Sequence, residues 1–202
     1  LVLADLESVE KRYERVAKMA KQKDKDAVVE EKVLAKIKET LENNNPVRSL
    51  EFTPEEKAIV KHLSLLTSKP MLYVANVAED EVASPEDNEY VQKIEEYASN
   101  EGSQVIVISA KIEEELATLD DEDREMFLED LGIEEPGLDR LIRTTYDLLG
   151  LSTYFTAGVQ EVRAWTFKQG MTAPQCAGII HTDFERGFIR AEVTSCEDYV
   201  QH

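Results

Sequence analysis

The chain has 202 residues, 42% of them hydrophobic and 32% charged, which is enough apolar material for folded cores and excludes a wholly disordered tail. No run of about 18 apolar residues could span a bilayer, and Leu1-Val2-Leu3-Ala4-Asp5 has neither the basic region nor the cleavage signal of a secretory peptide, so a soluble cytoplasmic protein is expected, with no membrane partner. The net charge of −19 is unevenly spread: residues 1–75 carry 14 basic and 13 acidic side chains, 76–139 carry 3 and 22, 140–150 carry 2 and 1, and 151–202 carry 4 and 6.

A polyanion is repelled by the middle segment, so a contact with nucleic acid is expected to use residues 1–66 or the C-terminal part. Cys176 and Cys196 form no CxxC pair, and His62, His181 and His202 are too scattered to suggest ligands. Two reduced thiols and no metal site are the expectation.

In chain order, Leu6, Val9, Tyr13, Val16 and Ala20 follow a 3-4-3-4 spacing that makes one narrow stripe along a helix, the seam of a coiled coil. After the polar break Lys21–Asp26, the residues Val29, Val33, Ile37 and Leu41 line a second helix, which ends at Asn43-Asn44-Asn45-Pro46. So short a connection predicts an antiparallel hairpin, an arm of about 30 Å at 1.5 Å of rise per residue. Thr53-Pro54-Glu55-Glu56 supplies an N-cap, a proline in the first turn and early acids, and predicts a third helix to about Leu66.

Met71–Ala75 is a short apolar run that reads as a buried strand. A helix is predicted near Pro85–Ala98, a second strand at Val105–Ser109, acidic helices through Leu131, and a helix over Leu138–Leu149. Alternating strands and helices predict a parallel sheet covered by helices, and two strands are too few to complete one, so further strands are expected from elsewhere. The start without a methionine points the same way. From Leu151 the pattern turns to a strand at Val162–Phe167, a turn at Gly170, a helix over Ala173–Ile180 and a strand at Phe188–Val193, a small α+β unit expected to be incomplete.

Asn76-Val77-Ala78-Glu79 directly follows the first predicted strand, and Ser109-Ala110-Lys111 follows the second. The carboxyl edge of an open parallel sheet is where ligands bind, because loops and helix N-termini converge there. In that setting the Asn76 amide is expected to order the loop, Glu79 to accept from the amino group of a base, and the Ala110 backbone to meet the base edge.

These segments, with Ala4-Asp5-Leu6-Glu7, Tyr154-Phe155-Thr156-Ala157-Gly158, Glu161–Thr166 and Ile180–Ala191, resemble the YchF subfamily of Obg-like P-loop NTPases, and the resemblance runs over essentially the whole chain. It implies an α/β fold: a partial P-loop NTPase domain, here its C-terminal half at 67–150, with an inserted α-helical coiled-coil arm at 1–66 and a partial C-terminal α+β β-grasp (TGS) domain at 151–202. It also implies ATP and magnesium as cofactors of the full-length parent, association with the ribosome or its RNA through the arm and TGS domain, and no DNA partner. By the resemblance, Asn76, Val77, Glu79, Ser109, Ala110 and Lys111 lie on the base side of the nucleotide.

Guanine-specific relatives carry Asn-Lys-x-Asp, whose aspartate accepts from two adjacent guanine donors. Here Val77 stands for the lysine and Glu79 for the aspartate, which relaxes the penalty against adenine and favours ATP over GTP. Asp80 would return an aspartate to the base if the loop shifted by one residue. No GxxxxGK[ST] loop and no recognisable switch region occurs in these residues, so the chain by itself is expected to be inactive, without catalytic or metal-binding residues of its own. Arg163, Lys168, Arg186 and Arg190, beside Trp165, Phe184 and Phe188, form a candidate RNA-contacting set. A GTPase of the Obg class and a non-catalytic interaction scaffold are the competing readings.

Overall fold

The computed structural model describes residues 1–201. His202, one of the scattered histidines, lies outside the described residues. The chain packs as two compact units, Leu1–Gly137 and Leu138–His202. Residues 1–66 and the first strands therefore share one unit, and residues 138–149 fall in the second.

The first unit opens with α1 (Val2–Ala20) and α2 (Lys25–Glu42), joined by a tight turn. Asp24 begins α2 by accepting the backbone N–H groups of Asp26 and Ala27 at 3.0 and 3.1 Å. The pairs Glu10–Lys38 and Arg12–Glu30 show that residue numbers rise along one helix as they fall along the other, so the hairpin is antiparallel. Val9 and Val16 are buried against Ala27, Val33, Leu34, Ile37 and Leu41, with Leu6, Tyr13 and Ala20 packed around them. Val29 departs from the predicted stripe. It is 45% exposed, while Ala27 and Leu34 are buried. At 100° per residue Val29 sits about 200° around the helix from Ala27, so both cannot face α1.

Thr53 and Glu56 form a reciprocal capping box at the start of α3 (Pro54–Leu63), which is three residues shorter than predicted because Ser64 turns left-handed at φ 52°. Below it, the root of the arm is fixed by polar contacts. Asp5, only 3% exposed, accepts from Leu66 N at 2.9 Å, Thr67 N at 2.7 Å and Thr67 Oγ1 at 2.7 Å. The same Thr67 hydroxyl accepts from Val47 N at 3.2 Å. One carboxylate thereby ties the first helix to the segment that leads into the sheet.

β1 (Leu72–Asn76) and β2 (Gln104–Ile108) pair in parallel, Leu72 opposite Gln104 and Asn76 opposite Ile108, with α4 (Glu89–Glu101) between them in sequence. β1 is half exposed rather than buried, Val74 being 45% accessible, because among the described residues only β2 pairs with it. Beyond β2 come α5 (Ala110–Leu116) and α6 (Asp121–Leu131), whose Ile112, Leu116 and Leu128 form a second core.

A second polar junction joins the arm's root to this sheet. Glu101 accepts from Arg48 at 2.6 Å, from Tyr73 of β1 at 2.9 Å and from Tyr97 of α4 at 2.9 Å. Burial alone would raise the Glu101 carboxyl, but the hydrogen bonds from Arg48, Tyr97 and Tyr73 outweigh it and hold the group below its ordinary value. Burial, aided by the bond to Glu101, pushes the Tyr73 phenol up to about 12.

α7 (Gly137–Leu148) leads into the second unit, where β3 (Leu151–Ala157) and β4 (Val162–Lys168) form an antiparallel pair before α8 (Ala173–Ile180), α9 (Thr182–Arg186) and α10 (Cys196–Gln201). The predicted strand at Phe188–Val193 does not form. Its residues form neither helix nor ladder, since an alternating sequence becomes a strand only where a partner strand takes its N–H and C=O groups. β3 is the converse case, a strand that the sequence reading does not anticipate and that β4 completes.

Two outcomes are expected for the stability of the first unit. Replacing Asp5 with alanine leaves the Leu66 and Thr67 amides without an acceptor and is expected to lower unfolding free energy by about 3 kcal/mol, read from urea denaturation. Because the folded Glu101 carboxyl lies below its ordinary value, it stabilises the fold above the unfolded glutamate pKa, and that contribution is lost as pH falls through the lower folded value. Glu101→Gln should therefore flatten the loss of melting temperature on acidification below about pH 4.5, where an ordinary glutamate titrates. An unchanged acid limb would contradict this.

Candidate functional site

The carboxyl ends of β1 and β2 lie side by side because the strands pair in parallel and in register to Asn76–Ile108. The ladder continues one step further, with Val77 N donating to Ile108 O at 2.9 Å. There the Asn76 side-chain oxygen accepts the Ala110 backbone N–H at 2.9 Å, across 34 residues of sequence, and fastens the loop after β1 to the first turn of α5. Lys111 Nζ reaches back to Glu79 Oε2 at 2.9 Å, and this hydrogen bond and the attraction of the carboxylate hold the lysine above its ordinary value. Asn76, Glu79, Ala110 and Lys111 are therefore brought together, as the positions of the two motifs suggested.

Two features of their hydrogen bonding stand out. The Ala110 N–H is given to Asn76, and one of the two Glu79 oxygens accepts from Lys111. Ser109 is buried, at 2% exposure, and its hydroxyl has no hydrogen-bond partner. A buried hydroxyl without a partner costs about 1–3 kcal/mol.

Beside this constellation is a hollow of about 400 Å³ lined by Ala75, Asn76, Val77, Ala78, Glu81 and residues of the α4 start, including Asn88, Tyr90 and Val91. Of the predicted residues, Asn76 and Val77 line it, whereas Glu79, Ser109, Ala110 and Lys111 do not. Sequence reasoning missed Glu81 and Asn88. Glu81 Oε2 accepts Ala78 N at 3.0 Å, Glu81 Oε1 accepts Asn88 Nδ2 at 2.8 Å, and Asn88 caps α4 through Tyr90 N and Val91 N. The legible signal was an asparagine ahead of a helical stripe. Near the carboxyl end of β2, Gly137 N donates to Glu113 Oε1 at 2.7 Å, and a Cβ on Gly137 would lie 2.7 Å from Ile108 Cγ2.

The four basic residues considered for RNA do not share one face. Arg163 and Lys168 point to opposite sides of β4 by alternation, Arg186 ends α9, and Arg190 lies outside any helix or strand. Arg163 stacks over Trp165 at 4.2 Å, while the indole N–H donates to Thr156 Oγ1 at 2.9 Å, so the ring is engaged within the unit. His181 caps α9, its Nδ1 accepting Asp183 N at 3.1 Å, as expected of a structural histidine. No helix among the described residues is long and apolar enough to cross a membrane.

These features define an α/β protein with a helical hairpin, a parallel strand pair and an antiparallel one. The family model YchF-GTPase_C, described as a protein of unknown function (DUF933), matches residues 151–202. The chain is 66% identical over 198 residues to the ribosome-binding ATPase YchF of Bacillus subtilis (strain 168), covering 98% of this chain and 54% of that protein. It is 52% identical over 202 residues to the protein of the same name from Escherichia coli O157:H7, covering 100% of this chain and 55% of that one. Among solved structures, that of the Schizosaccharomyces pombe YchF GTPase matches with a TM-score of 0.81 and 33% identity, over 93% of this chain and 51% of that one. The chain belongs to the YchF family. It spans about half the length of the relatives it matches.

The Asn76–Ala110 bond makes a direct expectation for the loop. Asn76→Ala should raise hydrogen exchange at the Ala110 amide roughly tenfold, equivalent to about 1.4 kcal/mol, while amides in α1 and α2 stay unchanged.

Proposed function

We propose that the intact protein, this chain together with the remainder its relatives carry, is a cytoplasmic, ribosome-associated switch that binds and hydrolyses ATP. In this reading residues 1–66 are a helical arm inserted in a P-loop NTPase domain, 67–150 the C-terminal half of that domain, and 151–202 part of a β-grasp TGS domain. The observation that carries the reading is the bond from Asn76 to Ala110, which draws the two post-strand motifs into one constellation at the carboxyl edge of a parallel pair. The names of the bacterial relatives, ribosome-binding ATPase, support it.

The base is held by Asn76, Val77, Glu79 and Ser109–Lys111. Its arrival recruits the Ser109 hydroxyl, which lacks a partner, and exchanges the Lys111–Glu79 contact for one to the base. A longer, more mobile carboxylate at Glu79 does not enforce the paired guanine donors, and Val77 offers only an apolar surface to the ring. The adenine ring is the better match. The triphosphate and magnesium are held by residues outside this chain, consistent with its lack of a GxxxxGK[ST] loop. The chain alone therefore does not turn over nucleotide.

Equilibrium titration of the intact protein with magnesium ATP and magnesium GTP tests the proposal. ATP is expected to bind more tightly, and Asn76→Ala to weaken it about tenfold, the worth of about 1.4 kcal/mol. Preferential GTP binding would move the protein to the GTPase class named for the Schizosaccharomyces pombe structure. Binding of neither nucleotide would favour a scaffold.

A further inference from the structure

Two carboxylates stand next to each other in the loop after β1. Glu79 carries Lys111, while Asp80 beside it is exposed. Which of them faces a base bears on the nucleotide, since an aspartate there accepts from two adjacent guanine donors and the longer glutamate does not enforce that pair. The Glu79–Lys111 contact is too weak to make the choice. Its side chains are 39% and 65% exposed, and an ion pair so open to water contributes little.

Both ends of the loop are fixed. Val77 N donates to Ile108 O at 2.9 Å and continues the ladder, and Val82 packs against the core of Ile112, Leu116 and Leu128. The residues between them set the register. Ala78 is extended, and Glu79–Glu81 form a single 3-10 turn in which Glu81 N donates to Ala78 O at 3.2 Å. Glu81 uses both carboxylate oxygens on this arrangement. Oε2 accepts Ala78 N at 3.0 Å and Oε1 accepts Asn88 Nδ2 at 2.8 Å, while Asn88 Oδ1 accepts Tyr90 N and Val91 N at the start of α4. The loop is thereby fastened to a long helix by hydrogen bonds to a charged acceptor, which are the stronger kind. Moving Asp80 into the place of Glu79 puts one more residue between Asn76 and the carboxylate that faces the base, and draws Glu81 away from both partners.

From this geometry we infer that Glu81 is a positioning residue for base specificity: it holds the loop in the register that presents Glu79 and keeps Asp80 away from the base. The inference rests on the ATP reading given above and assigns its selectivity to a residue outside the set that holds the base. Glu81 acts by accepting from two donors, so its role depends on hydrogen-bond polarity. In Glu81→Gln, when the side-chain oxygen faces Ala78 N, Nε2 faces Asn88 Nδ2, donor against donor. Asn88 cannot turn its amide over, because Oδ1 caps α4. Asn88→Asp supplies an acceptor at that place and keeps the cap, since aspartate caps a helix as well as asparagine does. The two substitutions together therefore restore the bond in the opposite sense.

The test titrates the intact protein with magnesium ATP and magnesium GTP and compares the ratio of the two dissociation constants among variants. Glu81→Gln is expected to lower the preference for ATP about tenfold, with GTP bound more tightly than by the unaltered protein. Glu81→Gln/Asn88→Asp should return the preference to within about twofold of the unaltered value. Glu81→Gln/Asp80→Ala should lose the gain for GTP, while Asp80→Ala alone leaves both affinities within about twofold. Hydrogen exchange at Tyr90 and Val91 verifies that α4 still begins in place. If Glu81→Gln loses that protection, Asn88→Asp alone, which keeps the cap and sets two carboxylates against each other, is expected to shift the ratio in the same direction. A ratio indifferent to Glu81 and Asn88, or an equal loss of both affinities, would overturn the inference and leave the ATP reading intact. A fall in affinity for Asp80→Ala alone would also overturn it, by making Asp80 the base reader. An unaltered protein that prefers GTP, or binds neither nucleotide, would overturn the ATP reading and the inference with it.

Discussion

The carboxylate of Asp5 is a charge taken almost wholly out of water and held there by three donors from a segment some sixty residues away. Such a group is tolerated only when its lone pairs are filled, and filling them fixes where α1 begins relative to the strand that comes after Thr67. The hairpin's hydrophobic seam could form in isolation. Its direction from the sheet could not, because that is set by Asp5 at one side of the root and by the Arg48–Glu101–Tyr73 junction at the other.

Both junctions act at the amino-terminal side of β1, while Asn76 and Ala110 meet at its carboxyl end. A strand of five residues therefore has the arm's root at one end and the candidate base constellation at the other. The arm's root and the candidate site are thus joined by one short, hydrogen-bonded element. This geometry suits a protein in which nucleotide state and an external contact influence one another, since coupling requires a continuous path of packed or bonded groups whose arrangement both ends can bias.

The sequence by itself determined the elements whose information is local. The 3-4-3-4 stripe of Leu6 to Ala20, the Thr53–Glu56 capping box, the strand-then-motif order at Asn76 and Ser109, and the family resemblance were all legible, because helical periodicity, caps and turn residues act within a few positions. Tertiary structure alone decided which face of α2 is buried, leaving Val29 outside and Leu34 within. It decided that β1 is half exposed, that Phe188–Val193 has no ladder, and that the Ala110 amide and a Glu79 oxygen are spent on Asn76 and Lys111. In each case the deciding partner lies on another element, tens of residues away for the Asn76 and Lys111 contacts. Local propensity specifies what a segment can be, and only the donors, acceptors and apolar surfaces brought to it by the rest of the chain specify what it does.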